Sequence, residues 1–152
     1  IRNRCLMRSG GSGMYTVDAS VHLNAINGAE PGSAESQACL KHLTQERRVV
    51  YSPTLLLVEV AAAAARALDD AALAVDLAQA LYRLPGQIWV TLDDDLACRA
   101  AELGAEARLR GADAVYAAVA QRFDTVLITR DRQQLERLCS WVSVTTPEEV
   151  YG

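Results

Sequence analysis

The feature that most limits the fold of this chain is a repeated alternation. Short apolar stretches run directly into segments with helical spacing and never into a two-residue turn. Strands are expected at residues 14–17, 49–51, 88–91, 125–129 and 142–144. Between them lie helical segments at 21–26, about 33–45, 54–67, 69–83, from Asp93 or Asp94 to about 109, 113–122, and from Asp131 to about 139. Asn27-Gly28, Pro85-Gly86 and Gly111 punctuate the pattern as helix breakers. Antiparallel hairpins announce themselves by a tight turn between two alternating runs, and no such signal is present. Strands that alternate with helices pack as a parallel sheet covered on its faces. The expected fold is therefore α/β, three-layer α/β/α, with a central parallel sheet of about four to five strands. The 152 residues suit one domain, and neither a linker nor an internal repeat divides them.

Composition narrows the functions. The formal net charge is −4, which argues against a broad basic footprint on nucleic acid. It leaves room for a small acidic site that takes up phosphate through bound cations, because a metal ion inverts the local charge. Lys41 is the only lysine among 15 basic residues, a bias that carries no function by itself. Cys5, Cys39, Cys98 and Cys139 are too far apart for a zinc cluster and read as small core residues of a reducing compartment. His22 and His42 have no partner at metal-ligand spacing and read as surface or packing residues. The most apolar run, 55–65, is too short to cross a bilayer and contains Glu59, so no membrane association is expected and a cytoplasmic location is. Residues 1–13, IRNRCLMRSGGSG, break the pattern. They are expected to be a flexible N-terminal extension or a remnant outside the domain, which is expected to span 14–152.

Four acids then stand out. Asp18 directly follows the first strand and Asp131 closely follows the fourth, and in open α/β sheets ligands bind beyond the carboxyl ends of strands. Asp113 opens the helix DAVYAAVAQR. Each of these three is equally explained, taken singly, as a helix N-cap. Glu59 is harder to dismiss. It interrupts LLLVEVAAAAA, with no other charge between Arg48 and Arg66, and a lone carboxylate is costly to bury. Its alternatives are an exposed face of that helix or a site that keeps it charged. Four carboxylates on one rim would repel unless cations held them, and oxygen-rich acidic sites suit Mg²⁺ or Mn²⁺. The run Asp93, Asp94 and Asp95 reads as capping and solvated charge. Ser20 can orient a ligand from the first helical turn or merely assist the cap.

VDASVHLNAI, LLLVEVAAAAAR, LRGADAVYAAVA and VLITRDRQQL stand in the order and approximate spacing of PIN domains. The chain most resembles the VapC-type ribonuclease toxins of toxin–antitoxin pairs, and the resemblance covers about residues 14–150. It implies that Asp18, Glu59, Asp113 and Asp131 form the catalytic and metal-binding set. Asp18 and Asp113 would bind the principal ion directly, Glu59 would position an ion or the attacking water, with general-base action open to it, and Asp131 would complete the shell. Thr129 matches a position where the family often carries a polar residue near the site. Arg130 and Arg132 flank the last acid and either bind phosphate or are solvated loop arginines.

The resemblance further implies Mg²⁺- or Mn²⁺-dependent endoribonuclease activity, an RNA substrate, a VapB-like antitoxin partner and a homodimer. Residues 54–67 and 71–81 could supply interaction surfaces or be plain core. A haloacid-dehalogenase-type phosphatase would require a second Asp where Ser20 stands. A phospho-receiver domain would require a late lysine. The remaining rival is a PIN domain that is non-toxin or non-catalytic and binds RNA or a partner protein.

Overall fold

The computed structural model describes residues 13–151. The expectation for 1–13 therefore lies, except for Gly13, outside the described residues, as does Cys5. The elements in chain order are β1 (Met14–Val17), α1 (Ala19–Ile26), α2 (Ser33–Gln45), β2 (Val49–Pro53), α3 (Leu55–Leu68), α4 (Ala71–Tyr82), β3 (Gln87–Val90), α5 (Asp94–Ala107), α6 (Gly111–Phe123), β4 (Val126–Ile128), α7 (Arg132–Arg137), β5 (Val144–Thr145) and α8 (Pro147–Tyr151). The five strands form one sheet in the order β3-β2-β1-β4-β5, and every pairing is parallel. The chain moves outward from β1 through β2 to β3, then returns to place β4 on the other side of β1. The switch point lies between β1 and β4, where Tyr15, Thr16 and Val17 pair with Val126, Leu127 and Ile128.

Alternation along these strands divides the core into two layers. Val17, Val50 and Ile128 face one side and pack with Val21 of α1 and with Cys39 and Leu43 of α2. Leu127 faces the other side, against Leu56 and Val60 of α3, Leu103 of α5 and the central run of α6. Residues 114–120 of α6 are all buried, because an alanine-rich helix can approach the sheet closely on more than one face. The α/β/α expectation holds, and the sheet has five strands. No helix among the described residues is long and apolar enough to cross a membrane.

The departures from expectation have local causes. The helix expected to begin with Asp113 as its cap begins at Gly111, with Arg110 in the N-cap position. The break lies instead at Arg108, which adopts the left-handed conformation at φ 54° and ends α5. Gly111 thus opens a helix rather than separating two, and Asp113 falls in its first turn. The second strand runs on through Ser52 and Pro53, which pair with Trp89 and Val90. The last strand is shifted to Val144–Thr145, where it pairs with Leu127 and Ile128, and α8 was not expected. Of the cysteines read as core, Cys39 is buried, but Cys98 and Cys139 are exposed. Cys98 sits on an outward position of the amphipathic α5, where pattern outranks residue type, and Cys139 lies in the turn after α7. His22 is packed inside, and burial pushes its pKa down to about 4.

Gly86 enters β3 at φ +82°, and a Cβ there would lie 2.8 Å from the backbone oxygen of Arg48. Its own carbonyl accepts the Val50 N–H at 2.9 Å, so the strand entry cannot shift without losing a ladder bond. Gly86→Ala is expected to lower stability by about 1–3 kcal/mol, read as a lower urea midpoint. An unchanged midpoint would show that the β2–β3 entry relaxes freely.

Candidate metal centre

All four acids come from the carboxyl-end rim of the sheet or from helices that start or pass there. Asp18 follows β1, and its N–H is fixed to the Ile128 carbonyl of β4 at 2.9 Å, which pins it at the switch point. Asp131 follows β4 and caps α7. Asp113 is in the first turn of α6, and Glu59 is in the second turn of α3. Their charges act on one another. Asp18 and Asp113 both raise the pKa of Glu59, and Asp18 and Asp131 both raise that of Asp113. In each of these two groups burial is the largest cause of the rise.

One arrangement recurs at all four. A neutral donor on the scaffold holds one carboxylate oxygen, and the other is either unbonded or engaged by Arg110. In Asp18, Oδ2 accepts from the Ser20 N–H and the Thr129 hydroxyl, both at 3.2 Å, and Oδ1 makes no hydrogen bond among the described residues. In Glu59, Oε1 accepts from the Tyr116 hydroxyl at 2.7 Å, and Oε2 makes none. In Asp113, Oδ1 accepts from Gln134 Nε2 at 3.1 Å. In Asp131, Oδ1 accepts from the N–H groups of Gln133 and Gln134 at 2.8 and 3.1 Å. The second oxygens of these last two acids are both engaged by Arg110, through Nε to Asp113 at 3.1 Å and through Nη2 to Asp131 at 2.7 Å.

The other expected residues divide. Ser20 and Thr129 belong to the centre: both are tied to the Asp18 turn, Ser20 Oγ accepts the Arg130 N–H at 3.1 Å, and Thr129 Oγ1 accepts the Asp131 N–H at 3.0 Å. The side chain of Arg130 is occupied elsewhere. It bonds Glu148 of α8 at 2.8 Å and Ser36 of α2 at 3.4 Å, and its guanidinium lies over Gly32, where a Cβ would fall 1.9 Å from Nη2. Arg132 is exposed on α7. Asp93 caps α5 through the Leu96 N–H, as expected of that acidic run.

Sequence reading missed Arg110, Tyr116 and Gln134. Arg110 and Tyr116 stand three residues before and after Asp113, a spacing that shares a helix face, so a signal for them existed. Gln134 gave none, because a buried glutamine at the first turn of a short helix looks like any polar surface residue.

Four carboxylates of hard oxygen donors, desolvated enough that two resist ionisation, are chemically suited to Mg²⁺ or Mn²⁺. Among the described residues, no three His, Cys, Asp or Glu side chains converge closely enough to hold an ion as they stand. Arg110 draws Asp113 and Asp131 to itself instead. The donor set fits a divalent ion, and the cation now serving two of its members is a guanidinium.

Fold and site together define a parallel α/β domain with an acidic centre at its switch point. The chain belongs to the PIN-domain family, whose model matches residues 15–139. Its fold is similar to that of FitAcB from Neisseria gonorrhoeae, at 21% identity over 88% of this chain and 98% of that one, with a TM-score of 0.66. VapBC2 from Rickettsia felis, bound to a promoter DNA fragment, aligns at 12% identity over 88% and 98%, with a TM-score of 0.66. VapC20 from Mycobacterium tuberculosis, a toxin that cleaves the sarcin–ricin loop, aligns at 19% identity over 74% and 86%, with a TM-score of 0.62. No curated protein matched the sequence.

Burial makes Glu59 a cost to the fold. Its pKa lies above the ordinary value of 4.5. The penalty is therefore absent below that value and grows as pH rises through the raised one. In EDTA, Glu59→Gln keeps an acceptor for Tyr116 and is expected to raise Tm by about 2–4 °C at pH 7.5. Below pH 4.5 the gain should disappear. A variant that melts with or below the parent at both pH values would contradict this account.

Proposed function

We propose that this PIN domain is a Mg²⁺- or Mn²⁺-dependent endoribonuclease, the toxin of a toxin–antitoxin pair acting in the cytoplasm. The observation that carries the reading is that four acids at one rim each have one oxygen fixed by a neutral donor, while the second oxygen is unbonded at Asp18 and Glu59 and held only by the exposed Arg110 at Asp113 and Asp131. Here Asp18, Asp113 and Asp131 would hold the ion, with Glu59 beside them. When bound, the cation supplies Lewis acidity toward a phosphodiester and its attacking water.

The remaining work falls to the chain. Ser20 and Thr129 fix the Asp18 carboxylate, Gln134 fixes that of Asp113, and the α7 cap fixes that of Asp131. Orienting contacts of this sort typically matter 10–100-fold, as an order of magnitude, to metal affinity or activity. Glu59, held through Oε1 by Tyr116 and raised in pKa by burial, accepts the proton of the attacking water.

The similarity in fold to VapBC2, FitAcB and VapC20 supports a toxin and an antitoxin partner. Val58 and Leu68 of α3 and Leu73 and Val75 of α4 are exposed, and these two helices offer the apolar surface that an antitoxin or a second copy of the chain would cover. The alternative, a binding module without catalysis, is the weaker reading because all four acids and their orienting donors are present.

Purified protein is expected to cut structured RNA with Mg²⁺ or Mn²⁺, to stop in EDTA, and to lose at least about a hundredfold in rate with Asp18→Asn. Cleavage indifferent to both treatments would reject the metal mechanism. Metal-dependent RNA binding without cleavage would favour the binding module.

A further inference from the structure

We propose that Arg110 is an intramolecular counter-ion that competes with the divalent cation for Asp113 and Asp131 and so sets the affinity of the centre for that cation. This rests on the metal-dependent reading above and deepens it.

The geometry is specific. One guanidinium reaches two carboxylates from different elements, α6 and the turn before α7, and takes from each the oxygen that the scaffold does not hold. Asp113 and Asp131 would help to hold the ion, and Arg110 already engages both carboxylates. Arg110 therefore occupies two carboxylates whose other oxygens the scaffold already fixes.

The contact is also reversible. The Arg110 side chain is 72% exposed, and it anchors nothing in the core. As the α6 N-cap it makes no side-chain capping bond. Release of the guanidinium leaves the helix start intact, because the Ala114 N–H is bonded to the Arg110 backbone carbonyl. A swing of one surface side chain opens the site and leaves a cation tethered at its rim.

Both consequences of losing Arg110 act in the same direction. The second oxygens of Asp113 and Asp131 become free, and the mutual repulsion of the acids rises, which a divalent ion would relieve. Exposed ion pairs are individually weak, so the expected effect is moderate.

The test is calorimetric titration of Mn²⁺ into the purified full chain, its Arg110→Ala and Arg110→Lys variants, and Asp18→Asn as a control that the heat reports this centre. Circular dichroism would confirm that each is folded. Arg110→Ala is expected to bind Mn²⁺ about three- to tenfold more tightly than the parent. Arg110→Lys should fall between them, because an ammonium carries the charge but not the two-pronged reach. Metal seen only with Arg110→Ala would support the same conclusion more strongly. Equal or weaker affinity in Arg110→Ala would overturn the role of Arg110 and leave the metal reading standing. Absence of Mn²⁺ binding by every chain would remove both.

Discussion

Everything at the rim of this sheet answers one electrostatic constraint: four partly desolvated carboxylates lie within reach of one another's charge. Each must be oriented against that repulsion without being neutralised. The chain does this with neutral donors. A hydroxyl and an N–H hold Asp18, a phenol holds Glu59, an amide holds Asp113, and two helix N–H groups hold Asp131. Neutral donors fix direction but leave most of the negative charge in place, so the cluster still demands a cation.

The fold supplies the positions for this arrangement. The return of the chain from β3 to β4 on the far side of β1 opens the crevice and sets Asp18 and Asp131 on adjacent strands. The short residues of α6 let it lie against β1, β2 and β4, which brings Asp113 and Tyr116 to the same rim. Tyr116 is wholly buried, and burial, with the Glu59 charge second, pushes its pKa upward. It therefore stays a donor at any working pH. Burial makes Glu59 and Asp113 costly where they stand, and the buried apolar layers beneath them offset that cost. This is the usual tension between a functional site and stability.

The architecture was legible because it rests on periodicity. Strand–helix alternation survives small errors at element ends, and the acids declared themselves by position after strands or by isolation in an apolar run. What failed was local. Gly111 looked like a helix breaker, yet the actual break is Arg108 in the left-handed conformation, which a bulky residue seldom signals. That misreading made Asp113 a cap and hid the turn of α6 that places Arg110, Asp113 and Tyr116 in line. Arg130, prominent in sequence beside Asp131, is drawn away by Glu148 and Ser36, elements more than 15 residues distant in the chain. Tertiary partners of that kind leave no trace in local pattern.

The choice of arginine at position 110 follows from the same constraint. Asp113 and Asp131 each present, from two different elements, one oxygen that no neutral donor holds, so their counter-ion must donate along two directions at once. A planar guanidinium does this with Nε and Nη2, whereas an ammonium is a compact point charge with no fixed fork. The side chain that does so is 72% exposed, so this pairing is made at the surface of the rim. A chain with net charge −4 has little long-range attraction for nucleic acid. The positive charge at the acidic centre is therefore local, and among the described residues Arg110 supplies it to Asp113 and Asp131.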